Sequence, residues 1–269
     1  MLMKEIIYRA ISLTATIASL ATTLACTQTN SNSIEYELVE LSPPTACNPA
    51  DINELNEVLC TSNNVNYIFR QGEYVPLQTD SELSPGWLTS FNSLGMAVGH
   101  TGNSMNSFPS FYDNGMVSII DEFGEGASEF SDINNSGIAV GWRGTMNENF
   151  IGFVYENGQA RILSGCPGYQ HTQAMGINNN NEIVINCAGE STPNHLIVVM
   201  DANTDIILDD PFLSRIDGRA EGINDKRVVI GTLMGENASK PFIYYPDTGL
   251  VKKIGLGHGG SPSRGLLSE

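Results

Sequence analysis

Five asparagines recur along the chain, Asn53, Asn92, Asn134, Asn178 and Asn224, at intervals of 39, 42, 44 and 46 residues. A carboxamide repeated around one fold could line a channel or bind a cation. An Asn that enters a turn rich in Gly and Asn also satisfies its own backbone through side-chain hydrogen bonds, and that turn role is the one expected here. The five cysteines are the second chemical signal. Cys26 stands apart from the other four and follows Thr23-Leu24-Ala25, a small-residue approach that permits acylation of its thiol. Cys47 and Cys60 straddle Asn53, and Cys166 and Cys187 straddle Asn178. Four cysteines allow three pairings. The equivalence of the two asparagines selects Cys47–Cys60 and Cys166–Cys187, each tying the loop that enters a unit to its first apolar run. Four buried thiols are the alternative.

Other candidates carry less. Asp132-Ile133-Asn134-Asn135-Ser136-Gly137 has the opening of a calcium loop, but Arg143 stands twelfth, where a bidentate Glu is required. His100, His171, His195 and His258 fall at different places in the repeat, and no Cys-x-x-Cys accompanies them. No metal ligand and no cofactor is therefore expected. A Gly-x-Ser-x-Gly elbow, a phosphate-cradling loop and a dinucleotide fingerprint are all missing, so no catalytic residue is assigned. Asp121, Asp209, Asp210 and Asp247 adjoin strand ends and could act on glycans around a common axis, although solvated turns explain them more simply. Trp87 and Trp142 could stack on sugar rings, with packing between units the preferred role.

The elements that must position these residues are short strands. Of 269 residues 16% are charged, well below the usual quarter, and 27 glycines with 26 asparagines take their place. Such residues favour turns over helices. Thirty acidic against thirteen basic residues give a net charge of −17, which repels phosphate backbones and excludes nucleic-acid binding. After each motif Asn comes an apolar run, at 57–59, 96–99, 138–141, 183–185 and 228–231. An aromatic or β-branched run follows at 67–69, 111–112, 153–155, 196–199 and 242–245, and a third at 74–77, 116–120, 160–163, 206–208 and 250–254. The turns between the second and third runs hold Gly72, Gly115, Gly158 and Gly249, with Asn203-Thr204 in the fourth unit. A three-strand unit of this size cannot bury its own face. Repetition therefore predicts an all-β fold, a β-propeller of about five short-stranded blades, with an open β-solenoid as the alternative.

The expected domains are a signal peptide over 1–25, a flexible tether over 26–33 and a repeat domain over 34–269. Its units lie near 34–80, 81–121, 122–164, 165–210 and 211–255, with a partial unit at 256–269. Lys4 and Arg9 precede the uncharged run 10–25, which is shorter than the roughly 20 residues of a membrane span. Residues 36–41 read as a strand able to close the ring by joining the C-terminal unit, while the spacing after Ile254 equally suits a truncated longer array.

Together these features resemble the HAF family of bacterial extracellular repeat proteins: an Ile-Asn motif, a run ending in Val-Gly or Ile-Gly, an aromatic strand, an Asn-Gly hairpin and a Leu or Ile strand. The likeness covers about residues 34–269. The family's His-Ala-Phe signature survives as Phe in Ser110-Phe111, Gly152-Phe153 and Pro241-Phe242, and the fourth unit departs furthest, with Asn186 read as replacing the closing Gly. The family has no assigned biochemical activity, so the resemblance implies an exported repeat protein. The expectation is a lipid-anchored, non-catalytic binding or scaffold module of the bacterial cell envelope, with an unknown protein or glycan partner and membrane contact only through Cys26. Plain secretion is the alternative location. The alternative function is a periplasmic or surface glycan-active enzyme with carboxylates lining the propeller axis.

Overall fold

The computed structural model describes residues 22–28, 34–40, 47–78, 86–103, 105–124, 126–144, 149–189, 192–208, 218–233 and 240–253. Every regular element among them is a β-strand. Five antiparallel units follow one another along the chain. Sheet I holds Asn48–Ile52, Val58–Ser62, Val65–Arg70 and Glu73–Pro76, and sheet II holds Trp87–Phe91, Ala97–Asn103, Asn106–Asp113 and Met116–Ile119. Sheet III holds Ala127–Ile133, Ala139–Gly144, Ile151–Glu156 and Gln159–Ile162. Sheet IV holds His171–Ile177, Glu182–Gly189 and Thr192–Asp201, with a bridge from Met200 to Ile207 in place of a fourth strand. Sheet V holds Gly218–Ile223, Val229–Leu233, Lys240–Tyr245 and Leu250–Lys253. Within each unit the strands pair in chain order, one parallel pair, Ala127 with Ser107, joins sheets II and III, and the five first strands gather around one axial cavity. The described residues form a β-propeller of five blades.

Four of the blades have four strands, and the fourth blade three with a bridge, where three per unit were expected, because the strand before each Asn shows no clean alternation. A β-bulge at the same place in every blade, between Pro49/Asp51, Leu88/Ser90, Phe130/Asp132, Ala174/Gly176 and Ala220/Gly222, shifts its register and breaks the period of two. The second strands open with an unbroken apolar run for the opposite reason, since both faces are covered there. Ala97 packs between sheets I and II and Val98 between II and III; Ala139 and Val140 repeat the alternation one blade on. In the same way Ile185 packs toward sheet III and Val184 toward sheet V.

Register also explains the repeated Val-Gly. A Cβ on Gly141 would lie 2.0 Å from Glu129 O and 2.9 Å from the Phe153 ring, and one on Gly231 would lie 2.1 Å from Arg219 O and 2.7 Å from the Phe242 ring. The residue at this position in the fourth blade is Ile185, opposite Ala174, and not Asn186. The three Phe residues of the signature are not equivalent either. Phe153 and Phe242 pair with Gly141 and Gly231, whereas Gly99 pairs with Ser110, so Phe111 turns to the other face of its sheet.

Both expected disulfides are present. Cys47–Cys60 and Cys166–Cys187 have Cα separations of 5.6 and 6.2 Å, and each joins the segment before a blade to its second strand. Ile34–Glu40, expected to close the ring, instead pairs with Thr22–Gln28. A hairpin between neighbouring segments closes a short loop, which costs far less entropy than meeting a strand some two hundred residues away. Among the described residues no helix is long and apolar enough to cross a membrane. The partial unit at 256–269 lies outside the described residues.

Candidate functional site: the axial mouth

Each first strand ends at a motif asparagine, and the five turns that follow meet at one end of the axis. The turns are built alike. Asn53 Oδ1 accepts from the backbone N–H groups of Leu55 and Glu57, each at 3.0 Å, and Asn92, Asn134, Asn178 and Asn224 repeat both bonds. The residue three beyond each Asn has positive φ: Asn56 61°, Gly95 86°, Gly137 78°, Asn181 61° and Arg227 57°. Gly and Asn enter this region at least cost. Arg227 is the exception, and it is held across the blade boundary by Glu182 and within its own blade by Asp247 Oδ1 at 2.9 Å. The Glu182 bond raises the guanidinium pKa further above its ordinary value.

The other half of each carboxamide does something that the sequence did not announce. Asn53 Nδ2 donates to Asn92 O at 3.4 Å, Asn92 Nδ2 to Asn134 O at 2.9 Å, Asn134 Nδ2 to Asn178 O at 3.1 Å and Asn178 Nδ2 to Asn224 O at 3.0 Å. One side chain thus builds its own turn and clamps the next blade. At the fifth junction Asn224 Nδ2 is buried with no hydrogen-bond partner among the described residues.

Two further layers flank this ring, both at fixed offsets from the motif. Two residues before the Asn stand Asp51, Ser90 and Asp132, all buried. Ser90 Oγ lies 2.7 Å from Asp51 Oδ2 and 2.6 Å from Asp132 Oδ1, and its single hydrogen serves one of them at a time. Backbone N–H groups of Ile52 and Phe91 donate to Asp51, and those of Ile133 and Ile177 to Asp132. Asp132 is therefore a clamp between blades, which removes it as the opening ligand of a calcium loop. One residue after the Asn stand Glu54, Ser93, Asn135, Asn179 and Asp225. Glu54 reaches across the mouth to accept from Asn135 Nδ2 and Asn179 Nδ2, and Asn179 also donates to Asp225 Oδ2 at 3.1 Å. The cavity is about 100 Å³, and four carboxylates line it without any Lys, Arg or His.

The fold is similar to that of TolB from Acinetobacter baumannii, with a TM-score of 0.58 and 14% identity over 81% of this chain. It is also similar to the β-propeller domain of the Trilobed protease from Pyrococcus furiosus, with a TM-score of 0.49 and 12% identity over 90% of this chain and 82% of that one. The chain spans 57% of the TolB structure. No protein-family model and no curated protein matches the sequence. At such identities the likeness shows the fold alone.

The remaining candidates are dispersed. Asp121 and Asp247 are exposed at turns, while Asp209, Asp210 and His258 lie outside the described residues, as does the side chain of His195. Among the described residues no three His, Cys, Asp or Glu side chains are grouped to hold a metal. Cys26 lies in Thr22–Gln28 opposite Tyr36, with its backbone alone described. Trp142 packs edge-on against Phe150 with ring centroids 5.0 Å apart. Trp87 is 51% exposed, so it is not the packing residue expected of it.

Proposed function

We propose that the protein is an exported, non-catalytic binding or scaffold module, tethered to the bacterial envelope through a lipid on Cys26 and related to the HAF repeat proteins. The observation that carries the non-catalytic reading is the Asp51–Ser90–Asp132 bridge. A glycosidase needs one carboxyl free to protonate a leaving oxygen and another free to attack or to activate water. Here the two buried axial acids are turned toward a serine and toward backbone amides of adjoining blades. Export is supported by the two disulfides, which persist in oxidising compartments. The axial mouth, with its amide and carboxylate layer, is the surface such a module would present to a partner.

The test has two arms. Incubation of the purified protein with nitrophenyl glycosides and soluble polysaccharides should release no nitrophenol and no new reducing ends. Release that disappears in Asp51→Asn would establish the enzyme reading instead. Acyl chains on Cys26 by mass spectrometry, with Cys26→Ser moving the protein to the soluble fraction, are the expected signs of the anchor. A wild-type protein already soluble and unacylated would overturn it and leave plain secretion.

A further inference from the structure

The end of the propeller opposite the Asn turns carries a second cluster, built from residues of blades II, III and IV. Trp87 begins the first strand of sheet II and pairs directly across from His100 on the second. Cross-strand partners share one face, with Cβ atoms about 5 Å apart. His100 Nδ1 lies 3.5 Å from Glu129 Oε2 of sheet III, so that shared face looks toward blade III. Glu129 in turn pairs across from Trp142, whose indole Nε1 donates to Glu129 Oε1 at 2.9 Å. Phe150 continues the row, edge-on to Trp142 and 5.9 Å from the His171 ring of blade IV. Its backbone N–H donates to His171 Nδ1 at 3.3 Å.

Three features give the cluster its chemistry. Trp87 leaves half of a large flat apolar ring in water, where it contributes little to packing. Glu129 is oriented by an indole and remains 29% exposed beside a His100 that is 25% exposed. Trp142 and Phe150, both half-buried and packed on one another, hold that carboxylate in place. A flat hydrophobic platform beside an oriented carboxylate and an imidazole suits a ring with an apolar C–H face and hydroxyls at its edge. A chain of net charge −17 with Glu129 at the contact disfavours acidic sugars.

We propose that this face binds a neutral pyranose of an oligosaccharide, stacked on Trp87, with its hydroxyls held by Glu129 and His100. The inference rests on the reading of the protein as a binding module and supplies one class of occupant. It concerns the opposite end of the molecule from the axial mouth.

The chain's two tryptophans, Trp87 and Trp142, both lie in this cluster, so its entire indole emission reports on it. The full chain is titrated with cellotetraose, xylotetraose and N-acetylchitotetraose, with tetragalacturonate and triglycine as comparisons. At least one neutral sugar should shift and quench the emission saturably, with half-saturation below about 10 mM. Trp87→Ala, read by calorimetry, should weaken that binding about tenfold while leaving the melting temperature unchanged, as expected for an exposed anchor. Glu129→Gln should weaken it less, and Met116→Ser, exposed on the other face, should have no effect. No shift with any neutral sugar, a shift confined to triglycine or tetragalacturonate, or undiminished binding by Trp87→Ala would each overturn the proposal. Hydrolysis of a bound sugar would sink the non-catalytic reading and not this one.

Discussion

Asn134 and Asn224 occupy the same turn position, yet among the described residues only Asn134 has a partner for its amide nitrogen. Changing each to Asp keeps the Oδ1 that accepts from the turn and replaces the NH₂ by an oxygen. At position 134 that oxygen would face Asn178 O, now 3.1 Å from Nδ2, and Asn181 Oδ1, now 2.8 Å away, in a residue only 3% exposed. A buried and a half-buried acceptor each lose a donor, and each loss costs about 1–3 kcal/mol, so Asn134→Asp should destabilise by roughly 4 kcal/mol. At position 224 the nitrogen has no partner to lose among the described residues, so that variant carries the cost of the added charge without the lost clamp and should be destabilised by about 3 kcal/mol less. Both variants add one negative charge, so the difference isolates the clamp. In calorimetric melts at neutral pH the gap should be about 10 °C for a chain of this size. It should narrow in acid, because a protonated carboxyl regains one donor. Equal melting temperatures would refute the claim that the side chain joins blades and would leave the turn as its sole role.

Three further outcomes follow from the same geometry. Gly141→Ala, with its Cβ 2.0 Å from Glu129 O, should destabilise by about 3 kcal/mol, whereas Gly95→Asn, with open space and a φ that Asn56 and Asn181 already adopt, should change urea midpoints little. Replacing Cys166 and Cys187 together with Ser should cost about 3 kcal/mol from the closed loop alone, plus the loss of a fully buried contact at Cys187, read by the same denaturation. At Asp201 partial burial pushes the carboxyl pKa up, but hydrogen bonds from the Thr204 hydroxyl and from the backbone of Thr204 and Asn203 outweigh it and leave it lowered from 3.8. Its contribution is thus present above that pH and lost as pH falls further, so Thr204→Ala should lower stability at neutral pH and approach the wild type at the acid end of a pH series.

The repeat was legible because its punctuation is chemical. Gly and Asn at positive φ, aromatic third strands and a recurring Asn placed the turns and hairpins in register, and equivalence of Asn53 with Asn178 paired the cysteines. The first strands stayed hidden because the bulge at Ala220/Gly222 and its counterparts breaks their period. The axial layers were missed for another reason. Asp51, Ser90 and Asp132 share an offset but differ in type, and pairing between blades some forty residues apart leaves no trace in either segment alone. Trp87 was misjudged on propensity, since a Trp beside a strand is ordinarily buried, and only its place at a blade's open end exposes it.

The direction of the amide clamps gives the ring a beginning and an end. Each Asn donates forward, from I to II, II to III, III to IV and IV to V, and apolar clusters accompany the same four junctions. On the far face of sheet V, Val228 and Ile230 pack with Ile243 and Tyr245 of their own sheet, and the described residues of that cluster include none from blade I. Cohesion in a repeat array is a sum of unit and neighbour terms, so the V–I junction has the smallest neighbour term among the described residues. Glu54 partly offsets this. Projecting from blade I, it accepts from the Ser93 hydroxyl of blade II at 3.5 Å and reaches on to Asn135 and Asn179 in blades III and IV, where Asp225 of blade V shares the Asn179 amide. Blade I is thereby tied to blade V through the mouth rather than along the seam, which makes the residue after each motif Asn, and not the Asn itself, the element that holds the two ends of the array together.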